Sequence, residues 1–137
     1  MNLQLQRHNN AFHFEVTNET GQSIHLDSSP NEGGENLGLR PMETVIAALM
    51  GCSSIDVGLI LKKGKQVLRD YRVEARAERR DEIPRIFTHI YLHFHLYGEI
   101  DPKKAERAIN LSMEKYCSVT KILEPTAEVH TQFTIHP

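Results

Sequence analysis

Two stretches of the chain carry opposite periodicities. In "FTHIYLHFHLYG" apolar and polar residues alternate, with Ile90, Leu92, Phe94 and Leu96 on one face and His89, Tyr91, His93 and His95 on the other. A period of two predicts a half-buried β-strand. Between Pro41 and Gly64 the pattern is different: Val45, Ile46, Leu49, Met50, Ile55, Val57, Leu59 and Ile60 point in nearly every direction around a helix axis. Pro41 suits a first helical turn, and Gly64 follows a lysine-bearing end. A helix that is apolar all round is expected to be a buried, central one.

Weaker patterns fill in the rest. Residues 3–26 read as short strands broken at "HNN" and "NETG", and residues 27–38, with "NEGGENLG" at their end, as a turn-rich surface loop. "DYRVEARAER" alternates as a strand before the charged turn "RDEIPR". "DPKKAERAINLSMEKYCSV" opens with an Asp cap and Pro at the first helical position, and Ala105, Ala108, Ile109, Ser112 and Tyr116 form its inner stripe. A second helical piece ends near Pro125, and "EVHTQFTI" closes the chain as a strand. The order of strands, long helix, strands, helix and strand predicts one α+β domain over residues 1–137, an antiparallel sheet packed on a buried helix.

Charge adds little to this picture. With 16 basic and 18 acidic residues the net charge is near −2, which gives no reason to expect nucleic acid or an anionic membrane as partner. The amino terminus lacks an apolar run of signal-peptide length, and the apolar stretch 45–61, interrupted by Ser53, Ser54 and Asp56, reads as short of a membrane span. A cytoplasmic location follows as the expectation, where thiols stay reduced.

That makes the two cysteines the chief chemical candidates. Cys52 lies in the long apolar helix, where a cysteine is either a small core hydrophobe or a nucleophile in a dry pocket. Two features favour chemistry: the small-residue run "GCSS" permits close approach, and Asp56 stands one turn on along the same face. A carboxylate on an apolar face must meet something polar, whether an arginine, a ligand or another subunit. Cys117 sits where the second helix loses regularity, beside Lys115 and Lys121, whose charge would lower a thiol pKa; packing is the alternative. Arg79, Arg80 and Arg85 of the charged turn are within possible reach of a cysteine pocket. His93 and His95 could share a metal ion, with His89 further along, but their own strand offers no carboxylate to complete the shell. No phosphate loop, Gly-x-Ser-x-Gly elbow or dinucleotide fingerprint is present.

The blocks "RPMETVIAALMGCSSIDV", "ERRDEIPRIFTHIYLHF" and "ERAINLSMEKYCSV" together resemble the OsmC/Ohr family of small bacterial thiol peroxidases, and most of all its YhfA-like branch. The resemblance runs from about Arg40 to the end of the chain. It implies an intertwined homodimer, with curved antiparallel sheets around two central helices and active sites at the subunit interface. It further implies reduction of organic hydroperoxides or hydrogen peroxide, with Cys52 as the peroxidatic and Cys117 as the resolving thiol. An external dithiol would restore both, and no metal or organic cofactor is required. Hydroperoxide reductases of the family carry Asn-Pro-Glu at the helix start, whose Glu holds an arginine beside the thiolate. Here Arg40, Pro41 and Met42 occupy those places. Glu43 comes one residue late, nine residues before Cys52, which at about 100° per residue is the opposite helix face. The activating arginine would be Arg7 or Arg40. Val45, Leu49 and Met50 would line the substrate path with apolar surface, beside Asp56. A catalytically weakened redox-sensing or ligand-binding relative is the alternative function, and a histidine-strand metal binder a third.

Overall fold

The alternation in the fifth strand decides the architecture. In the computed structural model, which describes residues 1–137, this strand spans Phe87–Glu99 (β5) and forms the centre of a three-stranded sheet. Ile90, Leu92, Phe94 and Leu96 are at most 1% exposed, whereas the intervening His and Tyr residues remain half-buried on the other face. Full burial of one such aliphatic side chain stabilises the fold by roughly 1.5–3 kcal/mol, so this row alone fixes the strand's register.

Val67–Arg79 (β4) pairs antiparallel with β5, beginning slightly before the alternating stretch seen in the sequence. Glu128–His136 (β6) lies on the other side of β5, and here the expectation of a wholly antiparallel sheet is corrected: β5 and β6 run parallel. The reason is the connection. Parallel neighbours require a long crossover, and the chain between them supplies two helices, Pro102–Leu111 (α2) and Ser118–Leu123 (α3). α2 starts as expected, with the Asp101 carboxylate accepting from the Lys103 N–H at 2.8 Å and Pro102 in the first turn.

The stripe on α2 departs from its sequence pattern at one place. Ala105, Ala108, Ile109 and Ser112 are buried as predicted, but Tyr116 is 51% exposed and Cys117 is buried in its stead. Residues Ser112–Tyr116 form a π-helical turn, which holds more residues than an α-turn and so rotates Tyr116 off the inner stripe.

The long helix (α1) spans Pro41–Lys63, with Gly64 immediately after it as expected. Its left-handed terminating residue is Lys65, at φ 57°, rather than the glycine. In the single chain α1 is not buried all round. Leu49, Ser53, Val57 and Leu61, spaced one turn apart, are buried, but Ile55 and Leu59 are 63% and 53% exposed. One chain covers one stripe of the helix and leaves an apolar face uncovered. By length and composition α1 also passes as a membrane span, with mean hydropathy 1.9 in its most apolar window, despite the polar interruptions. Two of those interruptions are satisfied by protein: Ser53 Oγ donates to the Leu49 carbonyl at 2.8 Å, and Asp56 accepts from Ser112.

The chain divides into two compact units, Met1–Val45 and Ile46–Pro137. The first holds an antiparallel sheet of Leu3–Arg7 (β1), Phe14–Asn18 (β2) and Ser23–Leu26 (β3). Its loop is ordered around Asp27, whose carboxylate accepts the backbone N–H groups of Ser28, Glu35 and Leu37. Burial alone would raise the carboxyl pKa, but these three donors bring it below its ordinary value.

In the second unit Gly98 of β5, at φ 143°, lies opposite the β4 bulge between Leu68 and Asp70, where an added Cβ would sit 1.9 Å from the Val67 carbonyl oxygen. Gly98→Ala is expected to cost about 1–3 kcal/mol and to lower the midpoint of thermal unfolding by several degrees, read by circular dichroism.

Candidate functional site

Two independent local features bring the thiols together. Cys52 lies one turn before Asp56 on α1, on the flank of the buried stripe, and is half-buried. Cys117 is brought in by the π-helical turn, whose end is fixed by a hydrogen bond from the Cys117 N–H to the Ser112 carbonyl at 2.8 Å. The residue then becomes the N-cap of α3, with its sulfur accepting the Thr120 N–H at 3.4 Å. The two sulfurs and a carboxylate oxygen of Asp56 all lie within 4.8 Å of one another.

Within the chain, the polar group that Asp56 meets is a hydroxyl. Its Oδ2 accepts the Ser112 hydroxyl at 2.9 Å, and Ser112 is fully buried. This bond ties α1 to the start of the π-turn, directly across from Cys52. Ser112 is a residue whose role the sequence pattern hides, because it belongs to the inner stripe of α2 and reads as packing. Its signal is a small hydroxyl on an otherwise apolar stripe, the counterpart of a lone carboxylate on an otherwise apolar helix.

The thiols are unequal. Cys117 is only 1% exposed. Burial pushes its thiol above the ordinary value, against the two hydrogen bonds of Thr120, and the adjacent Cys52 pushes it the same way. The lowering anticipated from Lys115 and Lys121 is therefore overturned. Lys121 pairs with Glu124 at 3.0 Å, and the Lys115 ammonium sits over the Tyr116 ring at 5.3 Å. Cys117 is a protonated thiol at neutral pH, held against a more accessible partner.

The arginines of the charged turn are also committed elsewhere. Arg79 Nε donates to the Arg85 carbonyl at 2.7 Å, Arg80 Nε to Pro84 at 2.7 Å and Arg85 Nε to Arg80 at 3.2 Å, so the loop closes on itself. Of the other sequence candidates, Leu49 is fully buried in the α1 stripe and Met50 is half-buried. Arg7, Arg40, Glu43 and Val45 belong to the first unit. There Arg7 is an exposed residue of β1, paired with Phe14. Glu43 accepts the Arg40 backbone N–H at 2.8 Å, the reciprocal half of a capping box, while the Arg40 guanidinium bonds Asn36 and the Gly38 carbonyl. Glu43 is thus occupied in starting the helix. Gly51, next to Cys52, has nothing within 4 Å of an added Cβ, so the small-residue run leaves open space there rather than admitting another segment of the chain.

The family model described as "OsmC-like protein" matches residues 33–132. The chain belongs to the OsmC-like family. Among curated proteins, this OsmC-like chain is 40% identical over 117 residues to Protein YhfA of Escherichia coli K12, covering 85% of this chain and 84% of that one. Among solved structures, a hypothetical protein from Aquifex aeolicus VF5 is 30% identical, with a TM-score of 0.84 over 98% of this chain and 94% of its own. The organic hydroperoxide resistance protein OhrB of Bacillus subtilis shares the fold, with a TM-score of 0.68 at 16% identity, over 97% and 96% of the two chains.

The raised Cys117 value has a consequence for the stability of this OsmC-like protein. A group whose pKa is higher in the folded than in the unfolded chain stabilises the fold fully below its unfolded value. The contribution is lost as pH rises through the folded value. Stability is therefore expected to fall above about pH 8.5, the ordinary thiol range. Urea unfolding across pH 7–10 should show this alkaline decline, and Cys117→Ala should flatten it.

Proposed function

We propose that the protein is a thiol-dependent peroxidase that reduces organic hydroperoxides, acting as a homodimer in the reducing cytoplasm. The observation that carries this reading is the proximity of two unequal thiols: Cys52 accessible, Cys117 buried and protonated, with sulfurs within 4.8 Å. The membership of organic hydroperoxide resistance proteins in the same fold agrees with it.

In this mechanism the Cys52 thiolate attacks one peroxide oxygen of ROOH. The O–O bond breaks and the alkoxide leaves as the alcohol after taking a proton, so Cys52 becomes a sulfenic acid and the peroxide is reduced by two electrons. Cys117 then attacks the Cys52 sulfur, a disulfide forms, and the sulfenic oxygen leaves as water. A small dithiol opens the disulfide through a mixed disulfide and restores both thiols. The existing separation asks for a closing movement of a few ångströms to the roughly 2 Å of an S–S bond. The π-turn that carries Cys117 is a natural place for it, since such turns leave the backbone less tightly bonded than an α-helix. Met50, half-buried in the turn preceding Cys52, would favour an apolar substituent on the peroxide, whereas Leu49, expected beside it on the substrate path, is wholly taken up by the core.

The uncovered face of α1 supports the homodimer. Ile55 and Leu59 stand one turn apart and are more than half exposed, a pattern that a second copy would cover. A second reading, a redox sensor with slow turnover, is favoured by one observation: Glu43, the acidic residue at the helix start, is occupied by the Arg40 backbone.

Consumption of cumene hydroperoxide and of hydrogen peroxide, with a dithiol present in excess, separates the two. The peroxidase reading expects many turnovers, a preference of about tenfold or more for cumene hydroperoxide, and loss to background with Cys52→Ser. A single turnover followed by a halt would favour the sensor.

A further inference from the structure

The outer face of the β4–β5–β6 sheet holds a group of imidazoles and carboxylates that the thiol chemistry does not use. Seen along β5 alone, the histidines have no carboxylate to complete a metal shell. Pairing of the strands changes this. The parallel register sets Glu128 directly beside His89 and places His130 beside Tyr91, while the antiparallel register sets Glu74 beside His93. Two sets result, His89–Glu128–His130 and Glu74–His93–His95, each with its ligand atoms within 4.8 Å of one another.

The first set is the better built. His89 Nδ1 and His130 Nε2 converge on the same carboxylate oxygen, Glu128 Oε2, at 3.3 and 3.4 Å. Neither ring makes a hydrogen bond, and His89 Nδ1 is shielded from solvent with no hydrogen-bond partner, a costly state for a ring nitrogen. Those separations are long for hydrogen bonds. They match the roughly 3.3 Å edge of a tetrahedron whose corners lie about 2.0–2.1 Å from a central zinc ion. The His130 side chain is 47% exposed, which leaves a path for an ion.

The second set is less free. His93 is held at both nitrogens, by Thr134 Oγ1 at 2.8 Å and by Gln132 Nε2 at 3.1 Å, and His95 Nδ1 faces His136 Nε2 at 3.1 Å. His95 Nε2, 3.5 Å from Glu74 Oε2, is likewise shielded and without a hydrogen-bond partner, but an ion there would have to displace the hydrogen bonds that hold His93.

We propose that His89, Glu128 and His130 bind a divalent transition-metal ion of the zinc class, through His89 Nδ1, His130 Nε2 and Glu128 Oε2, with water at the fourth position. Two imidazoles and one carboxylate are a donor set that suits zinc and has an open coordination position. The site lies on the face of β5 opposite the apolar row of the core, so it is distinct from the thiol cluster.

The test uses tag-free, full-length protein carrying Cys52→Ser and Cys117→Ser, which removes the sulfurs that with Asp56 offer a competing site. Titration with zinc by calorimetry is expected to show one equivalent bound. His89→Gln combined with His130→Gln, and separately Glu128→Gln, should each weaken binding by about tenfold or more; His93→Gln with His95→Gln should leave it unchanged. In the protein without sheet substitutions, zinc should shift the imidazole nitrogen resonances of His89 and His130 and leave those of His93 and His95 in place. Absence of zinc uptake overturns the proposal. So does uptake that survives the His89/His130 pair and disappears with the His93/His95 pair, or zinc-induced shifts at His93 and His95 alone.

Discussion

A carboxylate on an apolar helix is costly unless it is paired, and the hydrogen bond from Ser112 to Asp56 resolves that cost here. The bond also determines where the second helix must stop being regular. Ser112 donates its hydroxyl to α1 while its carbonyl accepts the Cys117 N–H, so one residue anchors the π-turn at both ends. The turn in turn exchanges Tyr116 for Cys117 on the inner stripe and sets the buried sulfur near Cys52. Remove the polar pair and the two thiols, far apart in the chain, lose the connection that holds them at a common point.

The asymmetry of the thiols follows from the same packing. The stripe of Leu49, Ser53, Val57 and Leu61 faces the core, and Cys52 lies beside it rather than within it. Cys117 is pulled into the interior, and burial holds its proton in place. In the proposed peroxidase this state would suit Cys117 as the resolving thiol, because a protonated, buried thiol competes poorly with its accessible neighbour for the first oxidant.

The legibility of this arrangement in the sequence was uneven, for identifiable reasons. The β5 strand and the three helical segments were readable because apolar periodicity is dictated by burial, and burial is local to one element. The parallel pairing of β6 was not, since strand order depends on what the crossover does in space. The exposure of Ile55 and Leu59 was hidden too, because an all-apolar helix has the same sequence whether one chain or two cover it. Tyr116 was misplaced because a helical wheel assumes a constant 100° per residue, and the π-turn breaks that count. In the site, Cys52, Asp56 and Cys117 were found from their chemistry, but Ser112 resembled packing. The carboxylates of the histidine face, Glu74 and Glu128, were invisible along β5 because they come from neighbouring strands.

The central claim is that Cys52 and Cys117 form one chemical unit in which Cys52 reacts first. Trapping tests it most directly. Reduced Cys117→Ser protein is mixed with cumene hydroperoxide and a dimedone-type trap, quenched within seconds and mapped by mass spectrometry, beside the unmodified protein without trap. The predicted result is a trapped sulfenic acid at Cys52 in the variant and a Cys52–Cys117 disulfide in the unmodified protein. A fully reduced Cys52 in both, or first oxidation at Cys117 in the unmodified protein, would contradict it.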